Sequence, residues 1–499
     1  MNKRLILAIA LSFFVMLIWS RLTQRFYPID TQEVITEQTE TELAPVVPAL
    51  DIEQTTENQV GVISQDREFI FDLPSACLKK VIFQNFGDYV FDLGYGICLT
   101  RQDLVFRQQQ LTSQEAVFIA ENSNLKITKQ LDYSNPDFLL ILNIKIENLS
   151  DQSIAYPADL ILGLIDISSS GLDARFKEVF VKQPEGILRL PPSKETKVKH
   201  SGEFFGFRDR YFCAIIKPMT FPETLAVSRL GRKQSQLVLS RPEINLAPGQ
   251  IEQAQYEIYI GPQKIEPLGL FTDGADKIVY YGFFDPISKM LLRALRFFAR
   301  LVHNWGFAIV ILSVAIFFLL FPLSLKQMRS TKEMQYLQPH IEELRKLHKD
   351  NPQKLNKEVL ELYKTHKVNP LGGCLPLLLQ IPIFISLYQG LMRSIELKGA
   401  NFLWIQDLSQ PDRLITSPEI NLLPILMAIT MFLQQRSSMT SMSGSSGEQQ
   451  RLMSFIFPIM FGFIFYRMPS GLVLYWFLNS TLMFIYQTRI KVANEPVQH

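Results

Sequence analysis

Uncharged polar side chains are the only groups able to do chemistry inside the long apolar runs near the end of this 499-residue chain. These runs contain no Asp or Glu, whereas ion-coupled transporters usually place carboxylates in their spans, so ion-coupled transport is disfavoured. No phosphate-binding G-x-x-x-x-G-K-[ST] motif occurs. The remaining chemistry is hydrogen bonding by Ser313, Gln380, Ser386, Gln389, Thr430, Tyr475, Asn479, Ser480, Thr481 and Gln487.

These polar side chains allow two interpretations. If they converge, they form a partly hydrated groove that lowers the free-energy cost of moving a polar peptide through the bilayer. If they point at neighbouring helices, they hold the helices together by hydrogen bonds. Residue types alone leave both interpretations open.

Charged residues mark the ends of the apolar runs, because a charge at mid-bilayer is costly. The pattern predicts a multi-pass α-helical membrane protein with six transmembrane helices, the first of them an N-terminal anchor at 1–21. The other five are 304–325, 370–392, 420–435, 452–466 and 469–488. A helix of about 15 residues reaches only about 22 Å across a core of about 30 Å. Buried hairpin helices are therefore the alternative for the two short runs.

Basic residues set the predicted orientation. Segment 326–367 holds ten Lys and Arg residues, and Arg489 and Lys491 adjoin the tail at 490–499, so both regions should face the cytoplasm. With six spans, both termini are cytoplasmic and the segment after the anchor lies outside. The first run resembles a signal peptide but lacks a small-residue cleavage site, so an uncleaved anchor is expected.

The outer segment is predicted to have two parts. Residues 22–66 form a disordered acidic linker, since 26–66 holds nine acidic residues and no Lys or Arg. From 67 to 270 apolar residues recur at period two between turn signals such as SNPD and APGQ, which predicts a β-sandwich domain. It has one histidine, His200, and scattered acids, which disfavours catalysis and leaves sugar or peptide binding open.

Charge and cysteine content exclude further classes. With 50 Lys and Arg against 48 Asp and Glu, and no dense charged block, nucleic acid is not expected as the main partner. No metal site, catalytic set or cofactor is indicated. Cys77, Cys98 and Cys213 would lie outside the cytoplasm, where they permit at most one disulfide whose partners the sequence leaves open.

Residues 271–303 form the junction between the predicted outer domain and the spans. Basic residues recur there at spacings of 4, 3 and 4 opposite an apolar face; they are Lys289, Arg293, Arg296 and Arg300. This pattern predicts an amphipathic helix in the outer membrane interface, with its basic face on anionic lipids. A helix packed on the β-domain is the alternative.

Segment 328–367 is predicted to be a cytoplasmic helical hairpin. Apolar residues follow a 3,4 repeat on both sides of the break DNP at 350–352, so two antiparallel helices can pack along one seam. The predicted seam residues are Leu337, Ile341, Leu344, Leu355, Val359 and Leu362.

Several motifs, taken together, are specific enough to indicate a protein family. NWGFAIVIL at 304–312, VNPLGGCLPLLLQIPIFISLY at 368–388, FLWIQDLS at 402–409 and PSGLVLYW at 469–476 resemble those of the YidC membrane protein insertases of the Oxa superfamily. The resemblance is strong over about 280–490, and the outer domain with its anchor resembles the Gram-negative form. In that form the outer domain is similar to a sugar-mutarotase sandwich without the catalysis.

The resemblance implies a five-helix insertase core at 304–489 in the bacterial inner membrane, with a hydrophilic groove open to the cytoplasm and lipid. Nascent membrane proteins would use this groove, alone or with the Sec translocon, and the ribosome and signal recognition pathway components are further implied partners. No covalent chemistry is implied. The candidate groove residues are Ser313, Phe317, Gln380, Thr430, Arg467, Tyr475, Trp476 and Asn479.

One position departs from the family pattern. The family has a groove arginine on the first core helix, and Phe317 stands at that position here. Arg467, two residues before the PSG motif, is the candidate replacement charge, with anchoring at the interface as the alternative. The alternative functions are a membrane-tethered periplasmic sugar- or peptide-binding protein and a solute channel.

Overall fold

The computed structural model describes residues 59–100, 104–156, 159–168, 173–198, 201–241, 243–349, 351–366, 368, 375–417, 419–439 and 445–489. The predicted anchor at 1–21, most of the linker at 22–66, the NPLGGC motif at 369–374 and the tail at 490–499 lie outside the described residues. The chain divides after Tyr280 into two compact units.

The first unit consists mainly of antiparallel strands. In chain order its strands are β1 (Gln59–Ser64), β2 (Arg67–Asp72), β3 (Cys77–Phe83), β4 (Tyr89–Gly96), β5 (Cys98–Leu99), β6 (Arg107–Leu111), β7 (Glu115–Glu121), β8 (Leu125–Asp132), β9 (Leu139–Asn148), β10 (Ile154–Tyr156), β11 (Leu160–Asp166), β12 (Glu178–Gln183), β13 (Gly186–Leu190), β14 (Thr196–Lys197), β15 (Phe204–Arg208), β16 (Phe212–Pro218), β17 (Thr224–Leu230), β18 (Gln234–Ser240), β19 (Ile244–Leu246) and β20 (Ile251–Pro262). A short helix, α1 (Ile265–Phe271), follows them.

The strands form three main sheets. The largest has nine strands in the order β13-β12-β15-β16-β20-β9-β8-β7-β6, and the others have the orders β14-β17-β18-β11-β5 and β1-β2-β3-β4. Burial alternates along β8 and β9, as their period-two sequences LKITKQLD and LLILNIKIEN predict. Aromatic rings join the sheets: Phe71 lies 5.4 Å from Phe118, and Phe91 stacks on Phe207 at 5.5 Å between ring centroids.

The cysteine pairing that the sequence leaves open is resolved by the structure. Cys77 at the start of β3 forms a disulfide with Cys98 at the start of β5. Cys213 on β16 is a buried free thiol, and burial raises its pKa above the ordinary value. The oxidised pair therefore links two strand ends of this unit.

The second unit is helical. Its helices are α2 (Asp285–Val302), α3 (Trp305–Tyr336), α4 (Gln338–Leu347), α5 (Pro352–Thr365), α6 (Leu375–Arg393), α7 (Leu422–Met439), α8 (Ser445–Phe465) and α9 (Ser470–Arg489). Two short strands, β21 (Ile415–Thr416) and β22 (Glu419–Ile420), pair just before α7. Among the described residues, Trp305–Leu325 is long and apolar enough to cross a membrane, and Leu422–Arg436 and Phe455–Phe465 are shorter apolar segments.

Helix α2 follows its sequence signals closely. It begins at Asp285, whose carboxylate accepts a hydrogen bond from the Tyr281 N–H at 2.8 Å, and proline occupies its first turn. It ends at Val302, and the next residue, His303, has a left-handed backbone and caps the helix by donating its N–H to Ala299 O. Its apolar face packs on α3 and α6. The buried residues of this face are Ser288, Leu291, Leu292, Leu295 and Ala299.

Candidate functional site

The candidate groove residues lie on four helices of the second unit that pack against one another. Helix α9 contacts α7, α3 and α6, and α7 also contacts α8. Ser313 and Phe317 lie on α3, Gln380 on α6 and Thr430 on α7. The remaining helical candidates, Tyr475, Trp476 and Asn479, lie on α9. Helix α9 is therefore the central element of the candidate site.

A side-chain hydrogen bond joins α6 to α9. Gln380 Nε2 donates to Tyr475 Oη at 2.7 Å. Tyr475 is buried, with 1% of its surface exposed, whereas Gln380 is half-buried. A buried hydroxyl and amide that satisfy each other avoid the desolvation cost of an unmade bond. The structure thus brings two candidate residues, 95 positions apart in sequence, into direct contact.

The other hydroxyl groups among the candidates bond to their own helices. Ser313 Oγ donates to Ile309 O at 2.7 Å. Thr430 Oγ1 lies 3.0 Å from Leu426 O and 2.9 Å from Met427 O. Back-bonding of this kind satisfies the hydroxyl proton without a second helix. The hydrogen bonds donated by these two hydroxyls therefore do not link neighbouring helices.

An aromatic cluster joins α6, α8 and α9, the helices that carry Gln380, Phe461 and Tyr475. Trp476 meets Phe384 edge-on at 4.8 Å between ring centroids. It also stacks on Phe461 at 5.7 Å and lies 5.6 Å from Phe465. Sequence reasoning selected Trp476 but not its partners, although Phe457, Phe461 and Phe465 recur every four residues on α8.

Phe317 belongs to a separate aromatic cluster, and its side chain is half-buried. Its ring centroid lies 5.9 Å from that of Phe321 and 6.5 Å from that of Tyr486 on α9. Phe321 in turn meets Tyr486 edge-on at 4.9 Å. Aromatic packing between α3 and α9 thus occupies the position at which the resemblance implies an arginine.

Asn479 and Arg467 complete the candidate set. Asn479 is half-buried on α9, one helical turn beyond Tyr475. Arg467 is exposed in the turn between α8 and α9. The structure therefore brings Gln380 and Tyr475 together and packs Trp476 on aromatic rings of α6 and α8, whereas Arg467 lies at the end of the helices.

A polar network that sequence reasoning missed lies just before α7. Asp412 is buried, and its Oδ2 accepts hydrogen bonds from the Leu423 N–H at 2.8 Å and from Trp404 Nε1 at 3.2 Å. Asn421 is fully buried and donates to Tyr466 O at 2.8 Å. The network joins the start of α7 to the end of α8. An Asn directly before an apolar run was the available signal, since Asn is common at helix starts.

Helices α4 and α5 contact each other, and several residues of the predicted hairpin seam lie near this contact. Leu337 and Ile341 are buried together with Val368. Val359, Leu362 and Tyr363 pack against this cluster, whereas Leu344 and Leu355 are half-buried. His348 Nε2 lies 2.7 Å from Glu358 Oε2, which links the two helices by a second, polar contact.

Comparisons with known proteins cover both units. The 60Kd inner membrane protein family matches residues 297–496, and the YidC periplasmic domain family matches residues 96–294. The Citrifermentans bemidjiense membrane protein insertase YidC is 31% identical over 463 residues, which is 85% of this chain and 83% of that protein. The Geobacter metallireducens membrane protein insertase YidC is 40% identical over 287 residues, 57% of this chain and about half, 52%, of that protein.

Among solved structures, an active YidC insertase matches with a TM-score of 0.41 and 19% identity, covering 87% of this chain and 93% of that one. The family matches confirm the resemblance predicted from the motifs, with a β-rich periplasmic domain followed by a helical core in the inner membrane. The chain belongs to the YidC family of membrane protein insertases.

Proposed function

We propose that this protein inserts nascent inner-membrane proteins by receiving their hydrophobic segments beside the Gln380–Tyr475 pair. The observation that carries this proposal is a buried polar contact inside an apolar helical unit, between two helices that also carry the packed aromatic rings of Phe384 and Trp476. Polar groups at this position give a client's polar tail hydrogen-bonding partners within the membrane, and the aromatic rings give its apolar segment a surface for packing.

The driving forces for insertion are physical rather than covalent. Burial of the client's apolar segment contributes about 25 cal/mol per Å² of area removed from water. The membrane potential contributes about 2.3 kcal/mol per charge per 100 mV for a charged tail that crosses the full field. The short apolar segments Leu422–Arg436 and Phe455–Phe465 support a locally thin bilayer, because hydrophobic mismatch favours thinning around short spans.

The proposed topology has six spans with both termini in the cytoplasm. Ten Lys and Arg residues between 326 and 367 support a cytoplasmic position for the α4–α5 hairpin. The hairpin would meet the ribosome and signal recognition pathway components, and the core would work alone or beside the Sec translocon. In α2, Arg293, Phe297 and Arg300 are exposed opposite the buried leucines, which supports a helix lying on anionic lipid.

Site-specific labelling tests this topology. In a background without the free cysteines, single cysteines at positions 340 and 445 should react with membrane-impermeant maleimide only from the cytoplasmic side. A cysteine at position 410 should react only from outside. Labelling of position 340 in intact spheroplasts would contradict both the orientation and the proposed function.

Complementation of insertase-depleted cells tests the function itself. The chain should restore growth and the insertion of a reporter membrane protein, measured by protease protection of its outer tail. Tyr475→Phe and Gln380→Met should each reduce insertion, because each leaves one polar partner unbonded; inter-helix hydrogen bonds are worth about 0.6 to 2 kcal/mol, or about three- to thirtyfold. Thr481→Val is the matched control, since that hydroxyl donates to Phe477 O on its own helix at 2.7 Å.

The alternative functions predict different results. A solute channel would release a trapped solute from proteoliposomes, whereas an insertase would leave the liposomes sealed. A periplasmic sugar- or peptide-binding protein would lose all function with its β unit. Normal membrane levels of the chain without any rescue of insertion would refute the proposed function.

A further inference from the structure

A buried lysine occupies a core position of the β unit. Along β8 the inward-facing residues are Leu125, Ile127, Lys129 and Leu131, and each has at most 1% of its surface exposed. Lys129 makes no ion pair with a described carboxylate. Because a buried ammonium without a counterion is costly, burial lowers the pKa of Lys129 to about 7. An amine at this position needs other partners.

Those partners are two backbone carbonyls next to the disulfide. Lys129 Nζ donates hydrogen bonds to Ala76 O and to Ile97 O. Ala76 directly precedes Cys77, and Ile97 directly precedes Cys98. The lysine and the Cys77–Cys98 disulfide therefore tie together the same two points of the chain.

The backbone at both points is in an unfavourable conformation. Ala76 has φ +51° and Ile97 has φ +56°. Positive φ is uncommon for residues with a side chain and is a clear outlier for a β-branched residue such as isoleucine. Two such conformations, side by side, persist only where the surrounding structure imposes them. The disulfide and the lysine are the two constraints that join Ala76 and its neighbour Cys77 to Ile97 and its neighbour Cys98, at what we call the disulfide corner.

We propose that the Cys77–Cys98 disulfide is a redox-sensitive latch that keeps Lys129 buried, so that reduction opens this corner and exposes the amine. In the reduction, a dithiol's thiolate attacks one cysteine sulfur, forms a mixed disulfide and releases the other cysteine as a thiolate. The second thiol of the reductant then displaces the remaining cysteine. The reductant becomes a disulfide, and Cys77 and Cys98 each retain a thiol.

Opening follows from the loss of the covalent constraint. Without the disulfide, no covalent link joins Ala76 and Ile97, and the two hydrogen bonds of Lys129, with local backbone bonds such as that from the Ala76 N–H to Leu73 O, oppose relaxation to negative φ. Relaxation turns the two carbonyls away from the amine, which then gains most by reaching water. Cys213 is a buried thiol elsewhere in the nine-stranded sheet and takes no part.

Amine labelling of the full-length protein in membranes tests the latch. The oxidised and dithiothreitol-reduced proteins are alkylated with iodoacetamide, treated briefly with an acetylating ester and analysed by peptide mass spectrometry. Acetylation of Lys129 should rise at least about tenfold on reduction, because labelling of a buried group follows local opening. Lys126 on the same strand, with 37% of its side chain exposed, is the control and should not change. A Cys213→Ser variant should behave like the parent protein.

A second measurement tests whether Lys129 in turn slows reduction of the Cys77–Cys98 disulfide. Lys129→Met keeps an unbranched side chain that is one atom shorter and removes its hydrogen-bond donors. This substitution should speed reduction of the Cys77–Cys98 disulfide by dithiothreitol several-fold, whereas Lys126→Met should not. Unchanged protection of Lys129 after both cysteines are alkylated, or equal reduction rates in the two methionine variants, would overturn the latch.

Discussion

Phe317 and Arg467 together test whether insertion by this chain needs a positive charge near the groove. Arg467 is exposed between α8 and α9, and Phe317 packs on Phe321 at the position where the resemblance implies an arginine. If Arg467 attracts acidic tails, Arg467→Ala should reduce their insertion more than that of neutral tails. An exposed charge contributes about 0.2 to 1 kcal/mol, so the expected difference is about 1.5- to fivefold.

Phe317→Arg in the Arg467→Ala background should restore insertion of the acidic tails, because an arginine there could be hydrated in the groove. The measurement is protease protection of paired client tails that differ only in charge, at matched protein levels. Equal loss for acidic and neutral tails would leave Arg467 as an interface anchor.

Glu223 should make the stability of the β unit depend on pH. Burial raises its pKa to about 7, although Tyr256 donates a 2.7 Å hydrogen bond to its carboxylate and Arg241 lies nearby. Because the folded pKa lies above the ordinary value of 4.5, the stabilisation is complete below pH 4.5 and is lost as pH rises through 7. The loss between about pH 5 and 8 is about 2 kcal/mol.

Hydrogen exchange of the β17 and β18 amides, corrected for the intrinsic effect of pH, measures this loss in the full chain. Glu223→Gln should flatten the dependence, because glutamine does not ionise. An unchanged pH profile in that variant would show that another group is responsible.

Several groove residues could be chosen from the sequence, but their bonds could not. Gln380 and Tyr475 follow from motif positions, and the structure places them in contact. Ser313 was selected on the same basis, yet its hydroxyl bonds to its own helix. Whether a polar side chain bonds to a carbonyl of its own helix or to a group on a neighbouring helix depends on its side-chain torsion angles. Residue type and spacing do not determine those angles.

The junction between α2 and α3 should tolerate no added volume at Gly306. A Cβ on Gly306 would lie 2.1 Å from Cγ of Phe402, in the loop after α6. Gly306→Ala should therefore lower the thermal stability of the detergent-solubilised protein, since overpacking costs about 1 to 3 kcal/mol. Phe402→Ala should remove this penalty in the double variant, so a strictly additive loss would contradict the clash.

Helix boundaries were harder to predict than helix identities. The sequence marked the end of the first core span at 325, where charges begin, whereas α3 continues through Pro322 and Lys326 to Tyr336. Charges end the part of a helix that lies in hydrocarbon, but they do not break the backbone hydrogen bonds that define the helix. The structural helix and the predicted span therefore differ for a physical reason.

For the whole molecule, the β unit should be largely dispensable for insertion. Deletion of about 70–260, with α2 retained, should leave most insertion activity in depleted cells, because the candidate groove lies entirely in the helical unit. A variant that also lacks 286–303 is the comparison, and it should lose activity because α2 packs on α3 and α6. Complete loss in the first variant at normal membrane levels would favour the binding-protein alternative.

The two-unit organisation could be predicted because period-two and apolar patterns are local properties of the sequence. The disulfide partners and the Asp412 network could not, because they depend on which distant residues meet after folding.

The back-bonded hydroxyls give the candidate groove a directional preference. Ser313 and Thr430 each donate their single proton to a carbonyl of their own helix. A hydroxyl with its proton engaged can only accept from any other group that reaches it. These residues would therefore stabilise the N–H groups and ammonium groups of a passing tail, but not its carbonyls or carboxylates. Two client tails of equal polarity, one rich in hydrogen-bond donors and the other rich in hydrogen-bond acceptors, should then cross the membrane at different rates.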